Sequence, residues 1–177
     1  MDEIDYALFQ NLESYLFRHV GPRFQASHQI SAVDFYIIMA WKANRSKNKG
    51  RDRLKLLGGS FDEAVASIAA ALAFAEGNKE RLRCLMIDWR FRLPIASAIL
   101  SVLYPEEFTI YDVRVCAELK DFTRMGDRMF SDNLWAEYER FLEAVHAAVP
   151  HKRSLREKDH FLWGRSFHKS AVRDCAA

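Results

Sequence analysis

Glycine and proline are scarce in this chain, at 7 and 4 of 177 residues. Turn-rich all-β designs, collagen-like repeats and low-complexity linkers need far more of both. Cysteine is scarcer still: Cys84, Cys116 and Cys175 are odd in number and form no CxxC or Cys/His ligand pattern. A disulfide framework and a structural zinc site are therefore not expected, and a reducing, cytoplasmic setting is. No apolar run approaches the ~18 residues that a membrane span needs, and the N-terminal MDEIDY is acidic where a secretory leader would be basic. The expectation is a chain without a membrane anchor.

Among the six histidines, His19, His28, His146, His151, His160 and His168, no HxxxH pair occurs. His160 with Asp159 and His168 is the closest cluster, and no metal or other cofactor is expected. Neither common phosphate-binding glycine loop is present. No acidic pair stands out as a magnesium site for a nuclease.

What the chain does have is apolar and charged material for one core: half of its residues are apolar, 28% are charged and 13% aromatic. That is one domain's worth, residues 1–177. The formal charge of +2 conceals an uneven distribution. Lys42, Arg45, Lys47, Lys49, Arg51, Arg53 and Lys55 face Asp52 alone, a local +6. The segment from His151 to the end carries +4, which leaves −8 on the remainder. Two basic segments on an acidic body read as a partner-facing surface or, more plainly, as a solvated loop and a frayed tail.

Apolar spacing is helical almost throughout. Ile4, Leu8, Leu12 and Leu16 mark a first helix of about four turns that ends near Gly21-Pro22. Ser31 opens a central helix through Trp41, and the basic residues 42–55 read as a loop. Ser60 and Glu63 cap a helix that Gly77 closes, and Asn78 opens another. Pro94 suits the first turn of an apolar helix over Ile95 to Leu103, and Asp112 stands where an N-cap belongs. Helices from about Asn133 to Ala148 and from Ser154 onward complete an all-α bundle of about eight helices, with no strand and no repeat.

The segment Leu93-Pro94-Ile95-Ala96-Ser97-Ala98-Ile99-Leu100, followed by Phe108-Thr109-Ile110-Tyr111-Asp112-Val113-Arg114-Val115, resembles the hairpin and catalytic-aspartate segment of the helix-hairpin-helix DNA glycosylases. It is closest to the small bacterial proteins grouped as 8-oxoguanine glycosylase-like. About thirty residues carry the likeness, within residues 80–120. Trp41-Lys42 with Arg45, and Asp159-His160-Phe161-Leu162-Trp163, add to it. The resemblance implies a base-excision enzyme that binds duplex DNA and flips a base toward Asp112.

Lys42, Arg45, Lys47, Lys49, Arg51, Arg90, Arg92 and Arg114 would be its DNA contacts, and Trp41 and Trp89 its base-stacking candidates. The chain departs from the family in two places. Arg92-Leu93-Pro94-Ile95-Ala96 stands where a Gly-x-Gly turn would hold a phosphate, so Arg90 and Arg92 would supply the charge instead. Ile95, Ala96 and Ser97 stand where bifunctional members place a Schiff-base lysine. With no lysine near Asp112, water would be the nucleophile and the enzyme monofunctional. Each of these residues also has a plainer reading: Asp112 as an N-cap, Arg114 as half of a surface ion pair, Trp41 as core, Cys84 and Cys116 as packing. The rival to an enzyme is a non-catalytic nucleic-acid-binding or protein-interaction module on the same scaffold, including an accessory of a defence or toxin system.

Overall fold

The computed structural model describes residues 5–176, which are helical with no strand among them. Ten α-helical segments occur: α1 Leu12–Tyr15, α2 Gly21–Ser27, α3 Ala32–Ala43, α4 Lys47–Gly58, α5 Phe61–Phe74, α6 Asn78–Arg83, α7 Leu93–Leu103, α8 Val113–Leu119, α9 Asp132–Ala148 and α10 Leu155–Cys175. A π turn over Leu16–Val20 fuses α1 to α2, leaving nine rods, and a second π turn over Cys84–Asp88 extends α6. None of these helices alone is long and apolar enough to cross a membrane.

The caps expected from the sequence at Ser31, Ser60, Asp112 and Ser154 all accept a backbone N–H from the following turn. Ser154 and Glu157 form a complete capping box. At the centre lies α7, whose residues from Ala96 to Leu103 are all buried. Helix α3 and the α1–α2 rod pack against it. Phe24, Phe35, Phe91, Phe108, Tyr111, Tyr138 and Phe141 fill the largest buried volumes.

Three sequence expectations change. The first helix does not stop at Gly21-Pro22 but runs on to Ser27. Pro22 has no N–H to offer the turn before it, and the rod meets that loss by widening: the Gly21 N–H reaches back five residues to the Leu16 carbonyl. Ile4 lies outside the described residues, and Leu8 is exposed rather than on the core stripe. Gly77 does not close α5, which ends at Phe74; it precedes α6 with a φ of 148°.

The third change matters most. Residues 47–58 are not a loop but helix α4. Like charges at Lys47, Arg51 and Lys55 recur every four residues and disfavour an isolated helix, so tertiary packing decides. Leu54 is fully buried, Gly50 lets α4 lie against Met39 of α3, and Tyr36 of α3 donates to Asn48 at 2.6 Å. The C-terminal basic segment is likewise not frayed but is the long helix α10, whose Arg165 and Lys169 both bind Glu118 of α8.

Candidate functional site

Asp112 is placed by a segment with little freedom to move. The loop from Tyr104 to Tyr111 leaves α7 and runs back over the core. There Tyr138 of α9 donates to the Thr109 carbonyl at 2.6 Å, and the Tyr111 hydroxyl donates to the Phe122 carbonyl at 2.6 Å. Fully buried Ser97 accepts the Tyr111 N–H at 2.9 Å. Ser97, in the stretch Ile95-Ala96-Ser97 compared with the family's lysine position, anchors the aspartate segment here.

Asp112 then caps α8: its Oδ1 accepts the Arg114 N–H at 2.9 Å. Its Oδ2 accepts from Lys42 Nζ at 2.8 Å. Burial pushes the Asp112 carboxyl up, but the Lys42 charge and hydrogen bond, with the Arg114 N–H, outweigh it and hold it below its ordinary value. The expectation that no lysine stands near Asp112 is therefore overturned. The lysine comes from the end of α3, seventy positions back, and is engaged with the carboxylate rather than free for a phosphate.

Both residues open onto a cavity of about 480 Å³, lined also by Glu13, Trp41, Ile110, Arg156, Asp159, His160 and Trp163. That volume lies within the range of small-molecule sites, about 300–1,000 Å³. Arg156 organises one wall. It pairs with Glu13 at 2.7 Å and with Asp159, and its guanidinium lies over the rings of Phe17 and Trp41 at 4.9 and 5.3 Å. His160 contacts Glu13 as well. Burial raises Glu13, yet its bonds to His160 and Arg156 prevail and keep it below its ordinary value.

Asp159 behaves oppositely. It is 4% exposed, and burial pushes its carboxyl up to about 6 against the pull of Arg156, His160 and Lys42. A larger, shallower groove of about 1070 Å³ lies near α6 and α9. Lys79 pairs there with Asp132 and Arg83 with Glu80 and Asp88, leaving Glu76 and Glu139 as the lining acids outside these pairs.

Of the stacking candidates, Trp41 lines the cavity in edge contact with Phe17 at 5.8 Å. Trp89 does not line it; it packs half-buried before the hairpin turn. Arg114 pairs with no acid among the described residues. Its guanidinium lies 5.3 Å from both the Trp163 and Phe167 rings, which stack in parallel at 5.5 Å. That aromatic shelf, 41% and 50% exposed, sits at the cavity edge.

The hairpin is a short turn between the second π turn and α7, and Arg90 takes a positive φ of 55° there, the conformation a glycine would adopt most easily. Arg92 binds the Asp127 carbonyl across the surface. Arg53 of α4, not singled out in the sequence, lies over Phe91 at 5.1 Å with its Nε buried and unpartnered. Burial and the neighbouring Arg90 charge both depress it, so two cations meet beside the hairpin. On α4 and before it, Lys47 is held by Asn44 and Arg51 pairs with Asp52, while Arg45 and Lys49 are exposed. Cys84 and Cys116 are buried thiols that burial pushes up to about 11, in keeping with packing rather than nucleophilic roles.

Glu13 and Arg156 are what the sequence reading missed, while Asp159, His160 and Trp163 lie in a stretch it noted for the resemblance without giving them a role in the site. The signal lay in α10, where positions 156, 159, 160, 163 and 167 recur at helical spacing with acid, base and ring alternating along one face. Comparison with known proteins gives no match to any protein-family model, curated protein or solved structure.

Proposed function

We propose that the chain is a DNA glycosylase-like hydrolase that cleaves the N-glycosidic bond of a base flipped into the Asp112 cavity. The observation that carries this reading is a fixed, ionised carboxylate in the wall of a cavity flanked by two tryptophans, next to two basic helices. Breaking a glycosidic bond builds positive charge on the sugar, and Asp112 is positioned to stabilise that charge and orient a water. Each of its oxygens accepts one hydrogen bond and keeps a lone pair for this work. Trp41 and Trp163 offer ring faces for the extruded base. Arg45, Lys49, Arg53 and Arg90, on and beside α4, supply the phosphate contacts.

The Lys42 contact favours a second reading of the same site. An amine 2.8 Å from the carboxylate is placed to attack the sugar's anomeric carbon itself, with Asp112 taking its proton, and the product would be a lysine–sugar imine rather than a free abasic site.

The test is release of altered bases from duplex oligonucleotides by wild type, Asp112→Asn and Lys42→Ala, with borohydride added to trap an imine. Wild type releases a base, and Asp112→Asn is slower by on the order of a hundredfold. Water as nucleophile gives no trapped adduct. A trapped adduct that disappears in Lys42→Ala assigns the attack to the amine. If none of the three proteins releases any base while all bind the duplex equally, the chain is a binding module and the enzymatic reading is wrong.

A further inference from the structure

One atom in the cavity is left without work by the reading above. Asp159 Oδ2 is held by Arg156, but Oδ1 is buried and has no hydrogen-bond partner among the described residues. A buried carboxyl oxygen left unpaired costs on the order of 1–3 kcal/mol, and Asp159 lines the same cavity as Asp112. The groups that face it come from five elements: Arg156 and His160 of its own helix, Lys42 from α3, Asp112 ahead of α8, Glu13 of α1 across the cavity, and the buried Tyr138 of α9. Glu13 is satisfied by Arg156 and His160, and Asp112 by Lys42 and the Arg114 N–H. Glu13 meets both partners through Oε1 alone, and Asp159 is the one carboxyl of the three whose unpartnered oxygen is buried.

Resting on the glycosidase reading, we propose that Asp159 is the proton donor to the departing base, its free Oδ1 meeting a ring nitrogen of a neutral purine bound in the cavity. The bond between the sugar's anomeric carbon and the base breaks with its electron pair going to the base. The Asp159 proton passes to the ring nitrogen, so the base leaves neutral. Water adds its oxygen to the anomeric carbon, and its surplus proton returns through the carboxylates to Asp159. Two carboxyls then divide the labour: one is held ionised beside a lysine, and the other, in a drier corner, keeps its proton to a higher pH.

The substrate class follows from this chemistry. A neutral purine needs a proton on its ring to leave well. A purine already cationic through N7-methylation does not, and it bypasses Asp159.

The experiment measures single-turnover release of a neutral altered purine and of N7-methylguanine from the same duplex, by wild type and Asp159→Asn, over a range of pH. Thermal melting of both proteins serves as the folding control. For the neutral purine, wild-type release declines above a pH of about 6. Asp159→Asn is slower by on the order of a hundredfold and loses that decline, and its loss on N7-methylguanine is far smaller. Equal losses on both substrates, or no loss on either, overturn the role of Asp159 while leaving the glycosidase reading in place, as does a wild type that releases only the cationic base. If wild type releases neither base, the glycosidase reading itself fails and this inference falls with it.

Discussion

Asp112 and Asp159 bring the same functional group into one cavity, and their surroundings drive them in opposite directions. For Asp112, the lysine and the helix-start N–H overcome burial, so its folded-state value lies below its ordinary 3.8. The stability it contributes is present above the unfolded value and is lost as the pH falls through the folded one. For Asp159 burial wins and the folded value is about 6 against 3.8. Its contribution is complete below 3.8 and lost as the pH rises through about 6. Asp159→Asn, which cannot ionise, is therefore expected to gain stability relative to wild type between those two values, by on the order of 2 kcal/mol. Urea unfolding of both proteins at acid and at neutral pH reads the difference. A gap between them that stays constant with pH would show that the Asp159 carboxyl titrates alike in the folded and unfolded chain.

At the scale of elements, the contact between the first rod and α7 decides where α3 can lie, and thereby where Lys42 arrives. Gly21 is the tightest point: a Cβ there would stand 2.5 Å from the Val102 carbonyl oxygen. That oxygen belongs to the backbone of the most buried helix and cannot swing away. Gly21→Ala is expected to cost about 2 kcal/mol and lower Tm by on the order of 6 °C. Gly164→Ala, with nothing within 4 Å of the added carbon, should hold or raise Tm through helix propensity.

How far the sequence reaches is clearest at this scale. Ser31, Ser60, Asp112 and Ser154 announce helix starts because a cap is a local bargain between a side chain and the next three N–H groups. Helix α4 was illegible because only Leu54 of its residues is buried, and Gly50 and Gly58, poor helix formers, are there to admit Met39 and Ala64. The Asp112 position could be read from one stretch of chain. Its partners could not: Lys42, Glu13 and Asp159 come from helices far apart in sequence, and only packing brings them to one cavity.

At the scale of the whole molecule, charge rather than shape sets what can approach the site. The near-neutral total hides two basic helices, α4 and α10, on an acidic remainder. Within α10 much of the charge is already spent on Glu118, Glu13 and Asp159. On and around α4 the cations are less committed: Arg45 and Lys49 lie in solvent, and Arg53 lies beside Arg90 at the hairpin turn. If a duplex docks there, its phosphates displace counterions, and the logarithm of affinity falls linearly with the logarithm of salt at about −0.9 per contact. Replacing Arg53 and Arg90 together by Gln is expected to flatten that slope by about two contacts, while replacing Arg165, committed to Glu118, leaves it unchanged. Titration of a fluorescent duplex at several salt concentrations measures both. A wild-type affinity that does not change with salt would remove α4 as a nucleic-acid surface, and a slope altered by Arg165 but not by Arg53 and Arg90 would move that surface to α10.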